Sequence, residues 1–169
     1  MVSAPRQAGA LAASLLALAL TGCTPVELPA GSAVLDPTVF FAGVSTGEGT
    51  LDTLIARPVP VTVASLGFAE HGGLKLIQRI TEGTRPVRVR TWTMRRIGAG
   101  RYTGTLTDAA GPVEIVTEGA RANINYQTPS GLRIRQQLAL QSDGRTILNQ
   151  LEAYKFGIRV ATLTETISR

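Results

Sequence analysis

The stretch Gly131-Leu132-Arg133-Ile134-Arg135-Gln136-Gln137-Leu138-Ala139-Leu140-Gln141 decides the fold class. Leu132, Ile134, Leu138 and Leu140 share one parity, interrupted by Gln136, while Arg133, Arg135, Gln137 and Gln141 share the other. A period of two puts successive side chains on opposite faces of a strand, so one face is buried and the other is wet.

Working outward, similar β-branched or alternating runs cover Val61 to Phe68, Leu74 to Thr81, Val87 to Ile97, Arg101 to Thr107, Val113 to Glu118 and Ala122 to Thr128. Two more lie near Thr146 to Tyr154 and Ile158 to Ile167. Ile147, Leu148, Leu151 and Tyr154 also fit a helical stripe, but Ser142-Asp143-Gly144 reads as a hairpin turn ahead of them, and a strand is expected. Further turn signals stand at Glu70-His71-Gly72-Gly73, Gly98-Ala99-Gly100, Ala110-Gly111-Pro112 and Pro129-Ser130-Gly131. Many short strands in one modest chain predict an all-β, antiparallel, closed or nearly closed barrel of about 8–10 strands, since closure removes exposed sheet edges.

The first residues give an address. Arg6 lies in a short polar region, and Ala8 to Leu20 is an uncharged Ala/Leu-rich run, too short for a stable membrane span but suited to a signal peptide. It leads into Leu20-Thr21-Gly22-Cys23, where small residues precede a cysteine, a pattern that resembles a bacterial lipobox. Residues 1–22 are therefore expected to be cleaved and Cys23 to be lipidated, which anchors the mature chain stably in a membrane. Thr24 stands where an aspartate would suggest inner-membrane retention, so the expected site is the outer membrane, facing the periplasm. Residues 23–38, rich in Pro, Gly and small side chains, read either as a flexible tether or as a tail packed along the barrel, and 39–169 as the barrel domain.

Cys23 is the only cysteine, so the folded domain has no disulfide and no cysteine metal ligand. The chain carries 17 Lys and Arg against 12 Asp and Glu, a formal charge of +5. Such a balance permits attraction to anionic lipid or glycolipid; a nucleic-acid partner is not expected for an envelope protein.

No catalytic constellation emerges. His71, the only histidine, sits beside Gly72-Gly73 and reads as an exposed turn residue. There is no nucleophile-elbow motif and no cluster of metal ligands, so neither an enzyme, a metal nor a cofactor is expected. Asp108, Glu114 and Glu118 read as solvated strand ends. The informative segment is Pro86 to Ile97, where the apolar parity changes from Val87 and Val89 to Trp92 and Met94. A bulge near Thr91 would bring all four apolar residues inside and leave the arginines outside. A regular strand would instead line one wall with Arg88, Arg90, Trp92 and Met94, a basic mouth above an apolar floor, suited to a fatty acid or phospholipid. Tyr102 and Tyr126 are core aromatics or further pocket walls.

Phe40-Phe41-Ala42-Gly43, the segment from Trp92 to Gly111 and that from Arg145 to Thr164 resemble, in order, the lipoprotein family of unknown function DUF3833. The resemblance implies a lipocalin-like barrel and no established activity. Relatives tend to carry acidic residues where this chain has Thr107-Asp108-Ala109-Ala110 and Gln136-Gln137-Leu138-Ala139, which points to a divergent member. The leading expectation is a non-catalytic lipoprotein holding a hydrophobic or lipidic ligand. The alternative is an interaction module with a packed barrel, docking through its basic outer face to anionic glycolipid or a partner protein. An open interior with Arg88 and Arg90 inside favours the first, a packed interior the second.

Overall fold

The computed structural model describes residues 27–169; the signal-peptide reading, Cys23 and Thr24 lie outside the described residues. One short helix, α1 (Pro37–Phe40), precedes ten strands: β1 (Gly43–Thr53), β2 (Ala56–Glu70), β3 (Gly73–Glu82), β4 (Arg88–Gly98), β5 (Arg101–Leu106), β6 (Val113–Glu118), β7 (Arg121–Gln127), β8 (Arg133–Leu140), β9 (Thr146–Lys155) and β10 (Ile158–Ser168). Each strand pairs antiparallel with its neighbour in the chain, and β10 closes on β1 from Thr46↔Ser168 to Thr53↔Ala161. Closure satisfies every strand edge within the sheet. The helical stripe over Ile147 to Tyr154 is a strand, as expected, because its partners on both sides fix an extended register.

β1 is the strand that the apolar period does not announce. Its inward positions include Ser45, Gly47 and Gly49, so the face it turns to the interior is nearly without side chains.

A meander places alternate turns at the same end. At one end lie the turns β2–β3, β4–β5, β6–β7 and β8–β9 together with the entering chain, and this end is closed. Gly31 N–H donates to Leu140 O at 2.7 Å and Leu35 N–H to Gly119 O at 2.8 Å. Arg121 reaches Glu27 at 3.0 Å and Leu28 O at 3.0 Å, and Gln141 donates to Pro29 O. Residues 27–38 are therefore strapped across the barrel end, the packed arrangement rather than the flexible tether. Leu35, only 1% exposed, plugs the end beside Phe40 and Phe41. Asp36 caps α1 by accepting from Thr38 N–H at 2.9 Å and holds Arg96 at 2.9 Å.

Above the plug, Leu74, Met94, Tyr102, Ile115, Leu138 and Ile147 pack into one continuous apolar core. A second, smaller cluster of Val61, Val63 and Ile80, backed by Leu51 and Leu163, lines the opposite end. Among the described residues the ten strands close on one another around both clusters, so the barrel of residues 27–169 holds its own hydrophobic core.

Candidate functional site

The β3–β4 register runs without a break from Gly73↔Arg95 to Ile80↔Arg88. There is no bulge near Thr91. Arg88, Arg90, Trp92 and Met94 consequently share the inner face, and Val87 and Val89 are left exposed on the outer face. The arrangement is nevertheless the reverse of a basic mouth over an open apolar floor. Trp92 and Met94 are 5% and 6% exposed and belong to the packed core, so the two arginines lie above a floor that is already filled.

At mid-height the barrel carries a belt of buried polar side chains. Gln78 on β3 is its hub on one side: its Oε1 accepts from Arg90 Nε at 3.1 Å, Arg90 Nη2 at 2.9 Å and Trp92 Nε1 at 2.9 Å. Its Nε2 donates to Ser65 Oγ on β2 at 3.2 Å. On the other side Gln136 Nε2 donates to Asn149 Oδ1 at 3.0 Å, and Asn149 Nδ2 to Glu165 Oε2 at 2.7 Å. The glycine face of β1 lies between the two halves. The Glu165 carboxylate rests over Gly47, and burial pushes its pKa up, only partly offset by Asn149 and by the charge of Arg90. Burial likewise lowers the Arg90 pKa. Each charge is thus poorly solvated, and Arg90 makes no ion pair among the described residues.

Below the belt a void of about 40 Å³ touches Trp92, Met94, Gln136, Asn149 and Glu165, room for about three waters. Gln136 Oε1 is a buried acceptor that no protein donor meets. Above the belt, toward the open end, lies a cavity of about 160 Å³. Leu51, Val61, Val63, Ile80, Leu151 and Leu163 form its apolar wall, Arg90, Glu165 and Tyr126 its floor, and Glu82, Arg88 and Asp108 its rim. A cavity of roughly 150 Å³ accepts a benzene-sized group.

Arg88 is held at this rim. It pairs with Glu82 at 3.1 Å and with Asp108, and Glu82 also receives Arg85 at 2.9 Å. Burial lowers the Arg88 pKa, but the two carboxylates outweigh it and the pKa is raised. Tyr126 borders the cavity and meets Trp92 edge-on at 6.2 Å between centroids. Tyr102 belongs to the closed-end core, where its hydroxyl accepts from Arg96 Nη2 at 2.8 Å, and it borders none of these cavities. Of the three acids Asp108, Glu114 and Glu118, only Asp108 joins the rim; the other two are exposed along β6. His71 sits in the β2–β3 turn at the closed end, with φ of 31°. Among the described residues no group of three His, Cys, Asp or Glu could hold a metal ion.

The belt residues Ser65, Gln78, Asn149 and Glu165 are additions to the sequence-derived set. Their signal is a polar side chain on the apolar parity of a strand: Gln78 between Leu76 and Ile80, Asn149 between Ile147 and Leu151, Glu165 between Leu163 and Ile167.

The family model for DUF3833, a protein family of unknown function, matches residues 17–169. Comparison with curated proteins found no match. Among solved structures, the S-type phycobiliprotein lyase of Guillardia theta superposes with a TM-score of 0.60 at 4% identity, over 78% of this chain and 89% of that one. A protein of unknown function from the DUF3598 family of Nostoc punctiforme superposes with a TM-score of 0.59 at 14% identity, over 81% of this chain and 50% of its own length. At these identities the likeness is one of fold, a lipocalin-like barrel.

Proposed function

This chain belongs to the DUF3833 family, and we propose that it is a lipid-anchored envelope protein that binds a small hydrophobic or lipidic ligand, without catalysis, in the open end of its barrel. One observation carries this reading: the mouth cavity combines a continuous apolar wall with a half-buried guanidinium, Arg90, that no carboxylate of the described residues pairs. A barrel stabilised by packing alone has no use for a cavity here, and a half-buried charge without a counter-charge is partly desolvated at a cost. Small-molecule sites characteristically have an apolar lining with a few converging polar groups.

The cavity is smaller than the roughly 300–1,000 Å³ of drug-sized sites, so the ligand is compact or leaves part of itself outside the mouth. The superposition with a phycobiliprotein lyase adds that a barrel of this shape serves a lyase; residues are not carried over at 4% identity.

The envelope address rests on Ala8 to Cys23. Cys23→Ser is expected to abolish incorporation of radiolabelled palmitate and to release the protein from the outer-membrane fraction. For the ligand, native mass spectrometry with solvent extraction of the purified protein is expected to show a stoichiometric small hydrophobic molecule. An empty protein that takes up no fatty acid would refute the binding reading. It would leave the interaction module, to which the packed closed end and the outward Arg133 and Arg135 are suited.

A further inference from the structure

We infer that the ligand is a single-chain carboxylic acid bound head-inward, its carboxylate on Arg90 at the floor and its chain running outward along the Val61, Val63 and Ile80 wall. This rests on the binding reading above and specifies both the head group and the direction of the ligand.

The guanidinium geometry selects the head. Nε and Nη2 of Arg90 both point to one acceptor, Gln78 Oε1, at 3.1 and 2.9 Å. That leaves Nη1 and the second hydrogen of Nη2 as a free edge, whose spacing fits the two oxygens of one carboxylate. Gln78 is in turn fixed by Trp92 and Ser65, and Arg90 lies over the Trp92 ring at 5.5 Å, so the fork is held before any ligand arrives. Preorganisation of this kind lowers the cost of binding.

The charge balance selects the sign. Of the two arginines facing the mouth, Arg88 already has Glu82 and Asp108. The acid that shares the floor with Arg90 is Glu165, which is engaged with Asn149 over Gly47 and makes no ion pair with Arg90. An anionic head therefore meets one unpaired cation. Packing selects the direction: beneath Arg90 the space of about 40 Å³ cannot take a chain, whereas the apolar wall lies between Arg90 and the mouth. A phosphodiester head with its glycerol would have to pass the Glu82–Arg88–Asp108 rim and fill the floor, which the cavity of about 160 Å³ does not allow.

The test is isothermal titration of the 27–169 barrel with decanoate and with 1-decanol, which share a chain and differ in the head. Decanoate is expected to bind about ten- to a hundredfold more tightly, the range of a charge-assisted hydrogen bond. Gln78→Glu, which keeps the acceptor and supplies Arg90 with a carboxylate, is expected to bring that ratio close to one, and Arg90→Gln to do the same. Thermal melting of both variants checks that they fold. Equal binding of decanoate and decanol to the unaltered barrel would overturn the head-group inference and leave the hydrophobic-ligand reading standing. A decanoate preference that survives both substitutions would overturn the assignment to Arg90. Failure of both compounds to bind would overturn both.

Discussion

The carboxylate of Glu165 occupies the space that any side chain at position 47 would need: a Cβ on Gly47 would lie 1.9 Å from Glu165 Oε1. Gly47 is therefore required by the polar belt and not by its own backbone angles. Gly47→Ala is expected to destabilise the barrel by about 1–3 kcal/mol through overpacking. Pairing it with Glu165→Ala should recover part of that loss, a coupling readable from a denaturant double-mutant cycle. Additive losses would mean that Glu165 does not rest on this strand.

Gln78 is the acceptor shared by Arg90 and Trp92, and its loss orphans donors on both. Gln78→Leu should cost about 2–4 kcal/mol in chemical denaturation, since a charged and a neutral buried donor both lose their partner. It should also shift the emission of Trp92, the sole tryptophan. Gln78→Glu should be tolerated far better, because it keeps the acceptor and adds an opposite charge.

The pH dependence follows from the direction of the Glu165 shift. Burial raises its folded-state pKa above the ordinary 4.5, so the folded protein holds this proton more tightly than the unfolded chain. The associated stability is fully present below pH 4.5 and is lost as the pH rises through the raised value. Glu165→Gln is expected to remove that loss: relative to the parent it gains stability at pH 7 compared with pH 4.5. Acids with lowered pKa, such as Glu82 and Glu152, act the opposite way in both proteins and cancel in the difference. Parallel stability curves for the two proteins across this range would contradict the assignment.

Much of the barrel was legible because strands with one wet face write their period into the chain. Nine of the ten strands lie where alternation and turn signals place them. β1 was not legible, because alternation needs apolar side chains and its inner positions are Ser45, Gly47 and Gly49 before Leu51. The regular course of β4 could not be separated from a bulge, because apolar residues on both parities suit either; the unbroken pairing with β3 decides it. The cavity was legible only in part. Of the two sequence readings, the regular strand puts Arg88 and Arg90 on the Trp92 face, but the depth of each comes from how far the strands extend past one another. Arg90 thereby becomes floor and Arg88 rim. Gln136 was visible as a polar break in an apolar row, and the same break at Gln78, Asn149 and Glu165 marks the rest of the belt.

The strap at the closed end gives a separate prediction. Leu35 is 1% exposed among Tyr102, Ile115 and their neighbours, so Leu35→Ala should cost about 2–5 kcal/mol. An effect below 0.5 kcal/mol would show that residues 27–38 are not docked in solution.

Phe156, 93% exposed at the β9–β10 tip, has φ of 51°, a region that disfavours side chains. Phe156→Gly should therefore raise stability, by up to about 1 kcal/mol, readable as a higher melting temperature. A fall would mean that the ring makes a stabilising contact, the nearest candidate being Lys155, whose Nζ lies 5.3 Å from its centroid.

The most direct test of the account is methyl-resolved NMR of the 27–169 barrel during titration with a medium-chain fatty acid. Saturable shifts are expected at the mouth methyls of Val61, Val63, Ile80, Leu151 and Leu163, with those of Leu35 and Ile147 at the closed end unmoved. Shifts confined to the outer-face methyls of Val44 and Leu66, or none that saturate, would contradict a ligand site inside the barrel.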